Sequence, residues 1–224
     1  MRQNKKSAAI PVIGITGGVG SGKSAVLAML EKYFDTAVIQ ADQVARELMQ
    51  PGKASYVRIV DCFGKDILEK DGSIDRNKLS GIVFQDAERL EQLNSITHPE
   101  VKKEILSRIA RIKSEGRVRR IAVEAALLIE GGYREYLDEL WYIYADDATR
   151  IARLKEGRGY SEEKSRSIME NQLGEAEFRT ECDSVIDNSR GYESLFAQLK
   201  RKIDGRPEQE KSLGSGGSPN LPQK

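Results

Sequence analysis

Eight consecutive residues, Gly17-Gly18-Val19-Gly20-Ser21-Gly22-Lys23-Ser24, limit what this chain can fold into more than its overall composition does. They satisfy the pattern G-x-x-x-x-G-K-S/T, and the flanking sequence suits it. Ile10, Val12, Ile13 and Ile15 form an apolar run of strand length before the loop, and Ala25–Phe34 reads as a helix after it. Glycines allow successive backbone N–H groups to turn inward around phosphate oxygens, where a Cβ would obstruct them. The helix N-terminus directs its dipole at the same point. On this pattern Lys23 reaches the β- and γ-phosphates, and the Ser24 hydroxyl ligates a nucleotide-borne Mg²⁺. A Gly-rich strand-to-helix turn without a ligand is the alternative, but it does not require the lysine and the hydroxyl in this order. The loop specifies ATP or GTP and leaves the phosphate acceptor open.

The rest of the chain supplies a suitable frame. Strand-like runs are expected at Ile10–Thr16, Thr36–Gln40, Arg120–Glu124, Leu140–Ala145 and Ser184–Asp187, separated by amphipathic helical stretches, with a last helix over Tyr192–Ile203. Short, nearly continuous apolar strands alternating with helices predict a three-layer α/β/α fold around a five-stranded parallel sheet. Two segments break the rhythm. The interval 42–115 is mostly helical, with a turn-rich patch at Phe63–Asp75, and reads as an inserted helical region. The interval 149–182 is helical and strongly charged, and reads as a second insertion. Residues 1–9 are expected to be flexible. The stretch 205–224 is expected to be a disordered tail, rich in Gly and Pro and nearly free of apolar side chains.

Charge excludes some classes of function. With 36 Lys and Arg against 35 Asp and Glu, the net charge of +1 argues against a surface built for nucleic-acid backbone or anionic lipid. No apolar run approaches the roughly 18–20 residues of a membrane span, and the N-terminal residues are not expected to act as a signal peptide. Cys62 and Cys182 lack metal-ligand spacing and suit a reduced, cytoplasmic setting. The strings of a switch GTPase are also missing in any useful form. Asp61-Cys62-Phe63-Gly64 and Asn77-Lys78 begin 16 residues apart, Ser80 stands where the second string needs Asp, and neither follows a strand. A small phosphotransferase fits best, and a nucleotide-binding regulator without transfer is the rival from another class.

Transfer to a hydroxyl needs a carboxylate near the γ-phosphate to orient the acceptor and take its proton. Asp42 follows the second strand, whose C-terminal edge is expected beside the phosphate loop. It also suits an N-cap for a helix over Gln43–Met49, and the two roles are compatible. Glu124 ends the Ile121-Ala122-Val123 run and is either a carboxylate holding Mg²⁺ through water or a solvated strand-end charge. In the second insertion, Arg150, Arg153, Lys155, Arg158, Lys164 and Arg166 outnumber Glu156, Glu162 and Glu163. They form either a closing lid whose arginines stabilise the transferred phosphoryl or an exposed helix face. His98, the only histidine, precedes Pro99 at an expected helix start, where capping or packing is the ordinary role.

Taken together, the sequence resembles the dephospho-coenzyme A kinases. The resemblance runs from Val12 to about Ile203. It is carried by Gly14 to Ser24, Ala41-Asp42-Gln43-Val44-Ala45-Arg46 with Pro51-Gly52, and Asp71-Gly72-Ser73-Ile74-Asp75-Arg76. Further on it is carried by Leu93-Asn94-Ser95-Ile96-Thr97-His98-Pro99, Leu127-Leu128-Ile129-Glu130 and Val185-Ile186-Asp187-Asn188. It implies a P-loop core like that of nucleoside monophosphate kinases, with a helical acceptor domain and a lid. The implied reaction is ATP-dependent phosphorylation of the ribose 3′-hydroxyl of dephospho-coenzyme A, with Mg²⁺, in a monomer or weak homo-oligomer. Gly18, Val19, Gly20, Ser21, Gly22, Lys23, Ser24 and Ala25 then hold ATP, and Asn188 falls near its adenine. Asp42 becomes the base, Lys23, Arg153 and Arg158 assist transfer, and Arg46, Arg76 and His98 fall in the acceptor region. Ser24 and Glu124, the latter through water, would hold the metal. Three departures stand out: Gln40 in place of a frequent Asp, Ala126 in place of a Pro, and Arg158 one place later than the usual lid spacing after Arg153.

Overall fold

A computed structural model describes residues 9–125, 128–129 and 131–205. The expectations for the first eight residues and for 206–224, and positions Ala126, Leu127 and Glu130, lie outside the described residues.

The apolar run before the loop forms β1 (Val12–Thr16), buried along its whole length, as expected of a strand with neighbours on both edges and helices on both faces. On one side it pairs with β3 (Arg120–Glu124), which pairs with β2 (Thr36–Gln40). On the other it pairs with β4 (Glu139–Tyr144), which pairs with β5 (Ser184–Asp187). All four pairings are parallel, in the order β2-β3-β1-β4-β5. The expected strands therefore form, with β1 starting two residues late and β4 shifted by one. In this order β3 separates β2 from the phosphate-loop strand, yet the C-terminal edge of β2 still reaches the loop, since Gln40 and Asp42 line the same cleft as Gly17 and Ser24.

Alternation along the strands divides the core. On one face Ile13, Ile15, Ala122, Trp141 and Ile143 meet Val26, Leu27 and Leu30 of α1 (Lys23–Tyr33) and Leu195 and Leu199 of α9 (Tyr192–Asp204). On the other face Val12, Ile39, Ile121 and Val123 meet Val44 of α2 (Ala41–Leu48) and Val101, Ile105 and Ile109 of α5 (Ala87–Glu115). Each fully buried Ile or Leu contributes about 1.5–3 kcal/mol relative to exposure, so the loop at the end of β1 rests on a rigid floor.

The interval after β2 serves two purposes. While α2 and the second half of α5 cover the sheet, α3 (Ala54–Phe63) and α4 (Arg76–Gln85) join the first half of α5 around a satellite core. That core contains Ile59, Ile67, Ile74, Leu79 and Ile96. Both GTPase-like strings are helical, at the ends of α3 and α4, which removes them as switch elements. Two expectations are corrected. The helix after β2 starts at Ala41 with Gln40 as its N-cap, so Asp42 lies in the first turn rather than at the cap. His98 lies within α5, not at a helix start, because Pro99 is accommodated inside this 29-residue helix. The charged segment forms α6 (Asp147–Arg158), α7 (Glu162–Glu170) and α8 (Glu175–Glu181), with Asp146 and Ser161 capping the first two. Phe178 of α8 stacks on Tyr142 of β4 at 4.7 Å, which ties the segment to the sheet.

Candidate active site

The loop leaves β1 at its C-terminal end, between β3 and β4. At Gly17, φ is 145° and a Cβ would collide with the Ile143 carbonyl oxygen of β4, so the tight exit requires glycine. Within the loop, the Ser21 N–H bonds to Gly18 O at 3.2 Å, while Ala25 and Val26 bond back to Gly22 O at 3.0 and 3.3 Å. The N–H groups of Gly20, Gly22, Lys23 and Ser24 have no hydrogen-bond partner among the described residues. That is the donor set an anion at a helix N-terminus requires. Lys23 curls over the loop and donates from Nζ to Gly17 O at 2.7 Å.

The loop opens into a cleft of about 1200 Å³. Its lining brings Gly18, Val19, Gly20, Gly22, Lys23 and Ser24 together with Asp42, Arg46, Glu124, Arg153 and Arg158. Register explains how Asp42 arrives although β2 is two strands from β1. Gln40 pairs with Glu124, and Glu124 pairs with Ile15, so the three strand ends lie side by side and α2 begins at once. The remaining expected residues sit elsewhere. Ser21 is a buried member of the loop, Ala25 uses its N–H on Gly22 O, and exposed Arg76 lines neither this cleft nor the next cavity. Asn188 is buried, and its side-chain amide donates to Ser21 O at 2.8 Å.

A second cavity of about 570 Å³ lies between α2 and α5. Ala41, Ala45, Pro99, Val101, Ala125 and Tyr133 give it apolar walls, with His98 and Lys102 among its polar members. Lys102 lies 5.4 Å from the Tyr133 ring centroid and donates to Gly132 O at 2.9 Å. Asp42 is the one described residue that lines both cavities.

Burial dominates the electrostatics. It holds the Lys23 ammonium below its usual pKa, against the attraction of Glu124 and Asp42. It lifts the Glu124 carboxyl above the usual carboxylate range, opposed by Lys23 and reinforced by Asp42. An acid whose pKa is raised by folding loses stability as pH climbs from the ordinary carboxylate value through the raised one, because the ionised form is disfavoured in the fold. Glu124→Gln is therefore expected to melt above the parent at pH 7. The gap should close as pH falls through the raised Glu124 value, where the parent carboxyl is neutral too. Thermal melts across that range check this; a lower melting temperature at pH 7 would refute it.

Sequence reasoning missed Gln172, which follows α7 with no local motif. Its Oε1 accepts the Val19 N–H at 2.9 Å and Arg150 Nη2 at 3.2 Å, and Arg150 Nε donates to Val19 O at 2.9 Å. Gln172 thus presents an oxygen to two donors suited to a phosphate. A hydrogen bond of this kind is worth about 0.5–1.5 kcal/mol net. Gln172→Ala is accordingly expected to tighten ADP binding roughly two- to tenfold by calorimetry. Unchanged or weaker binding would show that the contact does not compete with nucleotide.

Comparison with known proteins shows the family. The family model described as "Dephospho-CoA kinase" matches residues 11–194. A dephospho-CoA kinase of Carboxydothermus hydrogenoformans is 40% identical over 190 residues, covering 85% of this chain and 91% of that protein. The crystal structure of TT1252 from Thermus thermophilus superposes with a TM-score of 0.72 at 27% identity, over 90% of this chain and all of the other. Dephospho-CoA kinase from Campylobacter jejuni shares the fold, with a TM-score of 0.64 at 24% identity over 88% of this chain and 98% of the other. Among the described residues no helix is long and apolar enough to cross a membrane. The chain belongs to the dephospho-CoA kinase family, whose members phosphorylate dephospho-CoA with ATP in the final step of coenzyme A biosynthesis.

Proposed function

We propose that this chain transfers the γ-phosphoryl group of Mg·ATP in line to the ribose 3′-hydroxyl of dephospho-CoA, with Asp42 orienting that hydroxyl and accepting its proton. The observation that carries this reading is the position of Asp42 where the phosphate cleft meets the apolar cavity. An acceptor seated in the second cavity presents a hydroxyl at that junction, and a nucleotide on the loop presents its γ-phosphate there. The mixed walls of the second cavity, apolar with Lys102 and His98, suit an acceptor that joins apolar groups to a pyrophosphate. Arg46 lines the cleft on the same side.

Among the oxygen donors that line the cleft are the Ser24 hydroxyl, next to the loop lysine, and the carboxylates of Asp42 and Glu124. A sparse all-oxygen set suits Mg²⁺, which arrives on phosphates and keeps several waters. Ser24 would hold it directly and Glu124 through water; when bound, it neutralises charge on the β- and γ-phosphate oxygens. Lys23 and the exposed Arg158 supply the fixed and the mobile positive charge for the transferred group. Residues 42–115 serve as the acceptor region and 149–182 as the lid, within one kinase domain over 10–204. The enzyme acts in the cytoplasm as a monomer or weak homo-oligomer, without nucleic-acid or membrane partners.

A coupled ADP-release assay with dephospho-CoA, adenosine and AMP as acceptors tests the reading. Turnover is expected with dephospho-CoA and only background with the other two; equal or faster turnover of AMP would replace the acceptor.

A further inference from the structure

We infer that Arg153 and Asn188 work from behind the phosphate loop, fixing the Ser21–Gly22 peptide so that its N–H faces the nucleotide. This rests on the loop holding nucleotide and is independent of the acceptor. The Ser21 carbonyl oxygen receives Asn188 Nδ2 at 2.8 Å and Arg153 Nη1 at 3.2 Å. Arg153 Nη1 also lies 3.4 Å from Gly20 O, and Nη2 donates to the Asn188 carbonyl at 2.8 Å. Asn188 is itself anchored: it is 4% exposed, and its N–H donates to Tyr144 O of β4 at 2.7 Å.

In a trans peptide the C=O and the following N–H point in opposite directions. Two donors holding Ser21 O on one side therefore aim the Gly22 N–H the other way. That N–H has no protein partner among the described residues, and Gly22 lines the cleft. A guanidinium on the carbonyl also polarises the peptide and strengthens its N–H as a donor. The same arrangement accounts for the glycine: φ at Gly22 is 87°, and a Cβ there would collide with Asn188 Nδ2. Arg153 is thus a positioning residue, its guanidinium committed to loop and Asn188 carbonyls, while Arg158 remains the exposed lid arginine along the cleft.

Because an oriented loop N–H serves phosphates common to ATP and ADP, the two roles open to Arg153 separate experimentally. Arg153→Lys keeps the charge but replaces the fork that bridges Ser21 O and Asn188 O with a single ammonium. It should weaken ADP and a non-hydrolysable ATP analogue by the same factor, roughly tenfold, with kcat at saturating ATP within about threefold of the parent. Asn188→Ala should show the same pattern, and ¹⁵N-labelled glycine should show the Gly22 amide losing its ADP-induced shift in both variants. Should Asn188→Ala fail to fold, Arg153→Lys decides. Parent-like ADP affinity with a collapsed kcat would place Arg153 on the transferred phosphate and overturn the inference. ADP affinity unchanged in a folded Asn188→Ala protein would overturn it as well. Failure of the parent itself to bind ADP would instead remove the nucleotide reading beneath it.

Discussion

Asp42→Asn should lower kcat by roughly 10²–10⁴-fold, the range that a positioned general base contributes, while leaving the dissociation constant for ATP nearly unchanged. The separation follows from where Asp42 sits. It belongs to the first turn of α2, is exposed, and lines both the nucleotide cleft and the second cavity. No hydrogen bond among the described residues ties its side chain to the loop, so the amide variant removes a proton acceptor without disturbing the cradle. Some acceptor affinity should persist, because an amide oxygen still accepts a hydrogen bond from the hydroxyl. Turnover measured at saturating ATP, alongside calorimetry with ADP, separates the two effects. Near-parental kcat would remove Asp42 as the base and point to Glu124, the cleft carboxylate that Lys23 attracts.

Lys23→Met should reduce kcat/KM for ATP by roughly 10²–10³-fold, comparable to loss of one preorganised group that stabilises transition-state charge. Lys23 is half-buried, its ammonium is held over the loop by Gly17 O at 2.7 Å, and Glu124 attracts it. Burial makes its charge count for more than an exposed lysine's, because less water screens it. Unlike the Asp42 variant, this one should weaken ADP binding and slow transfer, since Lys23 serves phosphates that remain after the reaction as well as the one that leaves. Loss confined to KM, with kcat intact, would mean that Lys23 contributes equally to ground and transition states.

The fold and half of the site were readable for the same reason: they depend on local pattern. Buried parallel strands must be short apolar runs, so β2, β3 and β5 appear at their expected bounds. The loop needs glycines, a lysine and a hydroxyl in consecutive positions, so it declares itself. Local pattern does not fix strand order, and β3 entered between β1 and β2 without any mark in either sequence. The helix-breaking reputation of proline misplaced His98, since α5 carries Pro99 within its length and turns it toward the second cavity. Arg76 opens α4 in the satellite region, away from both cavities. The contacts of Gln172 with Val19 and of Asn188 with Ser21 join residues 153 and 167 positions apart, a separation at which neither partner's neighbours hint at the other. Arg153 illustrates the limit best: its sequence setting marks it as a lid arginine, and only its contacts assign it to the loop carbonyls.

One measurement tests the reaction itself. Purified protein, Mg·ATP and dephospho-CoA are incubated together, and the product is followed by ³¹P NMR. A new phosphomonoester resonance should grow in step with ADP, coupled to the proton on ribose C3′, and should grow at least about a hundredfold more slowly when the Asp42→Asn variant replaces the parent. ADP formed without that resonance, or a phosphomonoester on any other hydroxyl, would contradict transfer to the 3′ position by this site.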